Sequence, residues 1–168
     1  MTRFENRIWF GVVGLLMTLA AVDSYAQGAP GRGSAAPANG VLQSQESNTA
    51  GILAELTECR REDGVLSIKM RLRNTAAKAT DVVVLSSGGP KYDSYYVMAG
   101  TKKYMILRDS EKNALASPPD FMTELRVKIA PGGSWTWWAK YPAPPPADTK
   151  INYMTPLAPP FDNVPIAK

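Results

Sequence analysis

Histidine is absent from the 168 residues, and cysteine occurs once, at Cys59. The first absence removes Ser-His-Asp and Cys-His nucleophilic systems together with imidazole metal sites. Each of these needs a group titrating near neutrality or a ring-nitrogen ligand. The second excludes an intrachain disulfide, so the fold has to hold by its core. Helical periodicity is missing as well. Outside the first residues, no window of helical length carries apolar residues at period 3.6 without a Gly or Pro inside it. Nor is one sign of charge in large excess: 19 Lys and Arg stand against 15 Asp and Glu. No basic tract is concentrated enough to point to nucleic acid.

What is present begins with Arg3 and Arg7, an apolar run from Ile8 to Val22, and Ser24-Tyr25-Ala26 with small residues where a signal peptidase reads. This three-part pattern predicts a cleavable secretory signal over residues 1–26. The run of 15 residues is shorter than the about 20 that a membrane-spanning helix needs. Gln27, not Cys, follows the cleavage point, which argues against a lipoprotein anchor. The expected product is a soluble periplasmic or secreted chain of 142 residues, with no stable membrane insertion. Losing Arg3, Arg7, Glu5 and Asp23 leaves 17 basic and 13 acidic side chains, a net charge of +4. That mild excess suits contact with anionic envelope polymers, and it equally suits an ordinary soluble surface.

Residues 27–50 are Gly, Ala, Ser, Pro, Asn and Gln with almost no large apolar groups, the composition of a flexible linker. Residues 51–168 remain for one domain. Val65 to Arg73 alternates strictly, with Leu66, Ile68, Met70 and Leu72 on one face and Ser67, Lys69, Arg71 and Arg73 on the other. This is a half-buried strand. Glu62-Asp63-Gly64 predicts a tight turn that pairs it with residues 52–61. Val82 to Leu85 reads as a short strand covered on both faces. Tyr95–Met98, Lys103–Arg108, Phe121–Ile129 and Ser134–Tyr141 follow, with Asp109–Asn113 and Pro131-Gly132-Gly133 as turns. Ile151–Met154 and Val164–Ile166 are hemmed in by prolines, which assigns them to sheet edges. Pro142–Pro146 and parts of Pro156–Pro160 read as polyproline II connections. The predicted fold is all-β, an immunoglobulin-like antiparallel β-sandwich of seven or eight strands, with a closed barrel as the alternative.

Few residues can carry chemistry. The acid pairs Asp109/Glu111 and Asp120/Glu124 sit beside turn or strand signals, where carboxylates cap and solvate the chain. A hydrolase would need two such acids facing across a cleft. The methionines Met70, Met98, Met105, Met122 and Met154 raise a copper(I) site, since thioethers select that ion. Without a clustered motif or a His, they read instead as core filling. No calcium-loop spacing occurs, and no cofactor or metal is expected. Cys59 reads as a small buried hydrophobe.

The most distinctive segment is Trp135-Thr136-Trp137-Trp138-Ala139-Lys140-Tyr141. On a strand, Trp135, Trp137, Ala139 and Tyr141 share the core face, and Thr136, Trp138 and Lys140 share the other. Trp138 beside Lys140 is then either a contact for a glycan ring or a protein hot spot, or an aromatic covered by a loop. Lys69, Arg71 and Arg73 form one outward basic row, and Arg126 and Lys128 form another. On neighbouring strands these rows would merge into an anion-binding patch.

The runs Lys102-Lys103-Tyr104-Met105-Ile106-Leu107-Arg108-Asp109-Ser110-Glu111, Ala130-Pro131-Gly132-Gly133-Ser134, Trp138-Ala139-Lys140-Tyr141-Pro142-Ala143-Pro144-Pro145 and Pro159-Pro160-Phe161-Asp162-Asn163-Val164-Pro165-Ile166 carry a resemblance. Residues 50–168 resemble an immunoglobulin-like module of bacterial envelope proteins, which in some of them precedes an OmpA-type peptidoglycan-binding domain. The resemblance implies an accessory, non-enzymatic domain. This chain stops after the module, so peptidoglycan binding does not carry over, and no functional residue transfers. The expectation is an exported binding or interaction module of the cell envelope whose partner is an envelope protein or an anionic envelope polymer. A carboxylate-dependent hydrolase acting on envelope polymers is the alternative.

Overall fold

The structure, a computed structural model, describes residues 40–86, 92–117 and 124–168. The expected signal, the linker as far as residue 39, and Asp120, Phe121 and Met122 lie outside the described residues. The named elements are all strands: β1 (Gln43–Glu46), β2 (Ile52–Glu62), β3 (Val65–Asn74), β4 (Thr80–Leu85), β5 (Tyr96–Ala99), β6 (Lys102–Met105), β7 (Ala116–Ser117), β8 (Leu125–Ile129), β9 (Ser134–Pro142), β10 (Lys150–Thr155) and β11 (Ala158–Pro165). They pair antiparallel in three sheets ordered β1-β2-β3-β9-β7, β11-β10-β5-β6 and β4-β8. The sheets end in edges and do not close into a barrel.

The β2–β3 hairpin is built as its sequence dictates. Asp63 and Gly64 have φ of 48° and 75° between the last pair Glu62↔Val65, the two left-handed residues of a type I′ turn. The register then shifts once: Leu56 faces Met70 and Glu58 faces Lys69, leaving Thr57 as the extra residue of a bulge. The bulge exchanges the two faces of β2. Ile52, Ala54 and Leu56 are buried before it, and Cys59 is buried after it.

The alternation expected of β3 holds, with Leu66, Ile68, Met70 and Leu72 all buried. On β9, Trp137, Ala139 and Tyr141 are buried and Trp135 is half-buried. These side chains meet those of the four-stranded sheet. The Trp137 ring lies 6.0 Å from that of Tyr153 on β10, and Tyr153 lies 6.1 Å from Phe161 on β11. Tyr95, just before β5, stacks on Trp137 and donates its hydroxyl to the Val84 carbonyl of β4 at 2.6 Å. The core therefore sits between the two larger sheets, with the small sheet tied to it through Tyr95.

Several expectations change. The flexible stretch does not extend to residue 50, because Gln43–Glu46 pairs with β2. Polar composition hid this strand: its amides serve the neighbouring sheet, with Gln43 Nε2 donating to Asp162 O at 2.8 Å and Gln45 Nε2 to Pro160 O at 3.3 Å. β4 is not covered on both faces, since Val83 is 37% exposed. A register shift between Val83 and Leu85 lets Val84 and Leu85 both point inward. β10 lies inside its sheet between β11 and β5, because the nearby prolines fall in the loops outside it. Pro159 and Pro160, read as polyproline II, stand in the edge strand β11, the one sheet position that tolerates a missing N–H.

Candidate functional surface

Alternation turns Ser67, Lys69, Arg71 and Arg73 of β3 and Thr136, Trp138 and Lys140 of β9 to the outer face of the five-stranded sheet. Register decides which of them meet. Lys69 stands opposite Trp138, Ser67 opposite Lys140, and Arg71 opposite Thr136. Across the other edge of β3, Glu58 faces Lys69 and Glu55 faces Arg71. Trp138 is 38% exposed, so the loop-covered reading of this ring does not hold. Its far neighbour is Ser117 of β7. Glu58, Ser67, Lys69, Trp138 and Lys140 line a shallow depression of about 290 Å³.

The electrostatics of this face differ from a bare basic row. Lys69 Nζ is 2.7 Å from Glu58 Oε2, Arg71 Nε is 2.7 Å from Glu55 Oε2, and Arg73 Nε donates to Glu55 Oε1 at 3.0 Å. Glu55 points outward yet is 5% exposed, roofed by the two guanidinium groups. Burial by itself would raise its pKa. The hydrogen bonds and charges of Arg73 and Arg71 outweigh that and hold the carboxyl below its ordinary range. All three basic residues of β3 are thus ion-paired with β2, Arg71 and Arg73 sharing the single carboxylate of Glu55. Lys140 makes no ion pair among the described residues, so it is the free cation beside the exposed indole.

The second basic row does not join the first. β3 is flanked by β2 and β9, whereas β8 pairs with β4 in another sheet. Arg126 is engaged by Glu124 at 2.6 Å, and Lys128 stands opposite Asp81. The merged patch is absent because strand order, which alternation does not encode, separates the two strands.

The acids show no cleft arrangement among the described residues. Asp109 Oδ1 accepts the backbone N–H groups of Glu111 and Asn113 at 2.9 and 2.8 Å, closing an exposed turn. Those hydrogen bonds, that of Asn113 foremost, lower its pKa. Glu124, the described member of its pair, is the partner of Arg126. The methionines divide. Met70 is core, as expected. Met98, Met105 and Met154 are not: they share the outer face of the four-stranded sheet, where Met154, Tyr96 and Met105 lie in one cross-strand row. The Lys103 ammonium sits 3.9 Å over the Tyr96 ring in the middle of that row, a fixed positive charge that opposes a metal cation there. Cys59 is buried, and burial pushes its thiol up to about 12, outweighing the lowering charge of Arg61, with a smaller rise from Glu58. Such a thiol is inert.

Glu55 and Glu58 escaped the sequence reading for different reasons. Counting back from the Asp63-Gly64 loop places Glu58 opposite Lys69, a relation open to the sequence. The same count sets Glu55 opposite Leu72 on the core side, and only the bulge at Thr57 moves it opposite Arg71. Fold and surface together define an all-β, antiparallel domain with an aromatic and cationic outer face. Compared with protein-family models, curated proteins and solved structures, the chain matches none.

Proposed function

We propose that this chain is an exported, non-enzymatic binding module of the bacterial cell envelope. In this reading it is an immunoglobulin-like β-sandwich that recognises an anionic envelope polymer through the outer face of its five-stranded sheet. The observation that carries the reading is Trp138. Its ring is 38% exposed in the middle of a paired strand, so its apolar face is open for a ligand to stack on. Its position beside the unpaired Lys140 and the Lys69–Glu58 ion pair combines a stacking surface with a free cation, a donor and an acceptor. These are the contacts that an acidic sugar ring satisfies.

The test is co-sedimentation of the purified protein with isolated envelope polymer at rising salt. Wild type is expected to pellet, with binding reduced about tenfold by Trp138→Ala, equivalent to about 1.4 kcal/mol, and weakened by Lys140→Ala. Unchanged binding of both variants, with folding intact, removes this face from the function.

A further inference from the structure

The edges of the sheets are finished unequally. The outer edge of β2 is covered along most of its length, by β1 over Leu53–Leu56 and by the C-terminal segment beyond it. There Ala167 N donates to Cys59 O and Arg61 N donates to Ala167 O, both at 2.8 Å. The edge of β11 is covered by side-chain amides: Gln43 and Gln45 donate to the carbonyls of Asp162 and Pro160, and Asn48 to that of Pro156 just before the strand. β6, the other end of the four-stranded sheet, has no such cover. Lys102–Met105 hydrogen-bond to β5 on one side, and on the other no described residue hydrogen-bonds to their backbone until Leu107 N, beyond the strand, donates to Lys140 O of β9 at 2.8 Å. Alternate residues of such a strand aim N–H and C=O groups outward, a template for another extended chain.

The side chains around this edge set the kind of chain it accepts. Lys103 Nζ lies 3.9 Å from the Tyr96 ring centroid and Lys102 Nζ lies 5.3 Å from that of Tyr104. Neither ammonium makes an ion pair among the described residues, in contrast to the ion-paired cations of β3. Met105, 36% exposed, sits opposite Tyr96. At the end of β6 a depression of about 330 Å³ opens between Tyr92, Asp93, Met105, Ile106 and Arg108.

We infer that β6 is a strand-addition site for an extended, acidic segment of a partner protein. Backbone hydrogen bonds to β6 supply the affinity, and two lysines held on aromatic faces supply the selection. Edge lysines repel basic strands and lose hydration without compensation against uncharged ones, which protects the free protein from edge-to-edge aggregation, and they turn attractive for a strand bearing carboxylates. Met105 and Tyr96 give the alternate side chains of that segment an adaptable apolar surface. This site is separate from the Trp138 face and stands or falls independently of it.

The probe is a short fluorescent peptide alternating Glu and Val, compared with its Lys-Val counterpart and with a version N-methylated at alternate residues. Anisotropy is expected to show saturable, salt-sensitive binding of the acidic peptide alone. The Lys102→Glu/Lys103→Glu double variant should weaken it by about tenfold or more with an unchanged melting temperature. Hydrogen exchange should show new protection at Lys102–Met105. Absence of saturable binding, equal binding of the N-methylated peptide, or protection appearing on β9 in place of β6 would each overturn the inference. Binding that persists in the double variant would overturn it too, and a Trp138→Ala variant that still binds the peptide is expected.

Discussion

The rings of Tyr95 and Trp137 stack with centroids 4.8 Å apart and planes inclined by 14°. Trp137 belongs to the five-stranded sheet, and Tyr95 leads into the four-stranded one. The Tyr95 hydroxyl also donates to Val84 O of the small sheet. One pair of rings therefore joins all three sheets, and burial pushes the pKa of the Tyr95 phenol well above its ordinary value. Tyr95→Phe keeps the stack but leaves the Val84 carbonyl unpaired in a buried setting. The expected loss is about 1–2 kcal/mol in urea unfolding. An unchanged midpoint would show that this bond does not tie β4 to the core.

Trp137 and Trp138 are sequence neighbours with opposite roles, one fully buried and the other 38% exposed. Trp137→Ala should cost about 3–5 kcal/mol through the cavity it leaves. Trp138→Ala should stay within about 1 kcal/mol, as surface changes do. Equal losses in chemical denaturation would contradict the assignment of faces on β9.

Glu55 predicts an acid-sensitive component of stability. Its folded-state pKa is lowered, so the stabilisation is fully present above the unfolded value and disappears as pH falls through the folded one. Arg71 and Arg73 are 34% and 41% exposed, which moderates the gain. Glu55→Gln should cost about 1–3 kcal/mol at neutral pH. The gap to wild type should close in strong acid, where both chains carry a neutral side chain at this position. A gap independent of pH would refute the ion-pair account.

Asn74, wholly buried, donates to Lys78 O and Ile129 O and accepts from Ala76 N, each at 2.8 Å. It holds the turn after β3 against β8. Asn74→Ala should destabilise by about 2–3 kcal/mol, since two acceptors and one donor lose their partner at once. Faster amide exchange in the 75–79 turn is the accompanying signature.

The Cys59 thiol, raised to about 12, should resist a disulfide-exchange reagent at pH 8 in the folded protein and react in full once urea unfolds it. Reaction of native protein at the rate of a free thiol would place Cys59 at the surface.

The amino-acid sequence by itself determined the all-β class, the Asp63-Gly64 hairpin, and the inward and outward faces of β3 and β9. Each is a local matter: period-two alternation and turn chemistry act between residues near in the chain. Residues Gln43–Glu46 were illegible as a strand because their amides bond to a sheet more than a hundred residues away in sequence. Tertiary structure alone decided that β3 and β8 lie in different sheets, that Met98, Met105 and Met154 gather on one face, and that the bulge at Thr57 sets Glu55 under Arg71 and Arg73. Strand order and register are long-range quantities, set by how whole sheets bury their apolar faces. A single inserted residue reverses every side chain beyond it.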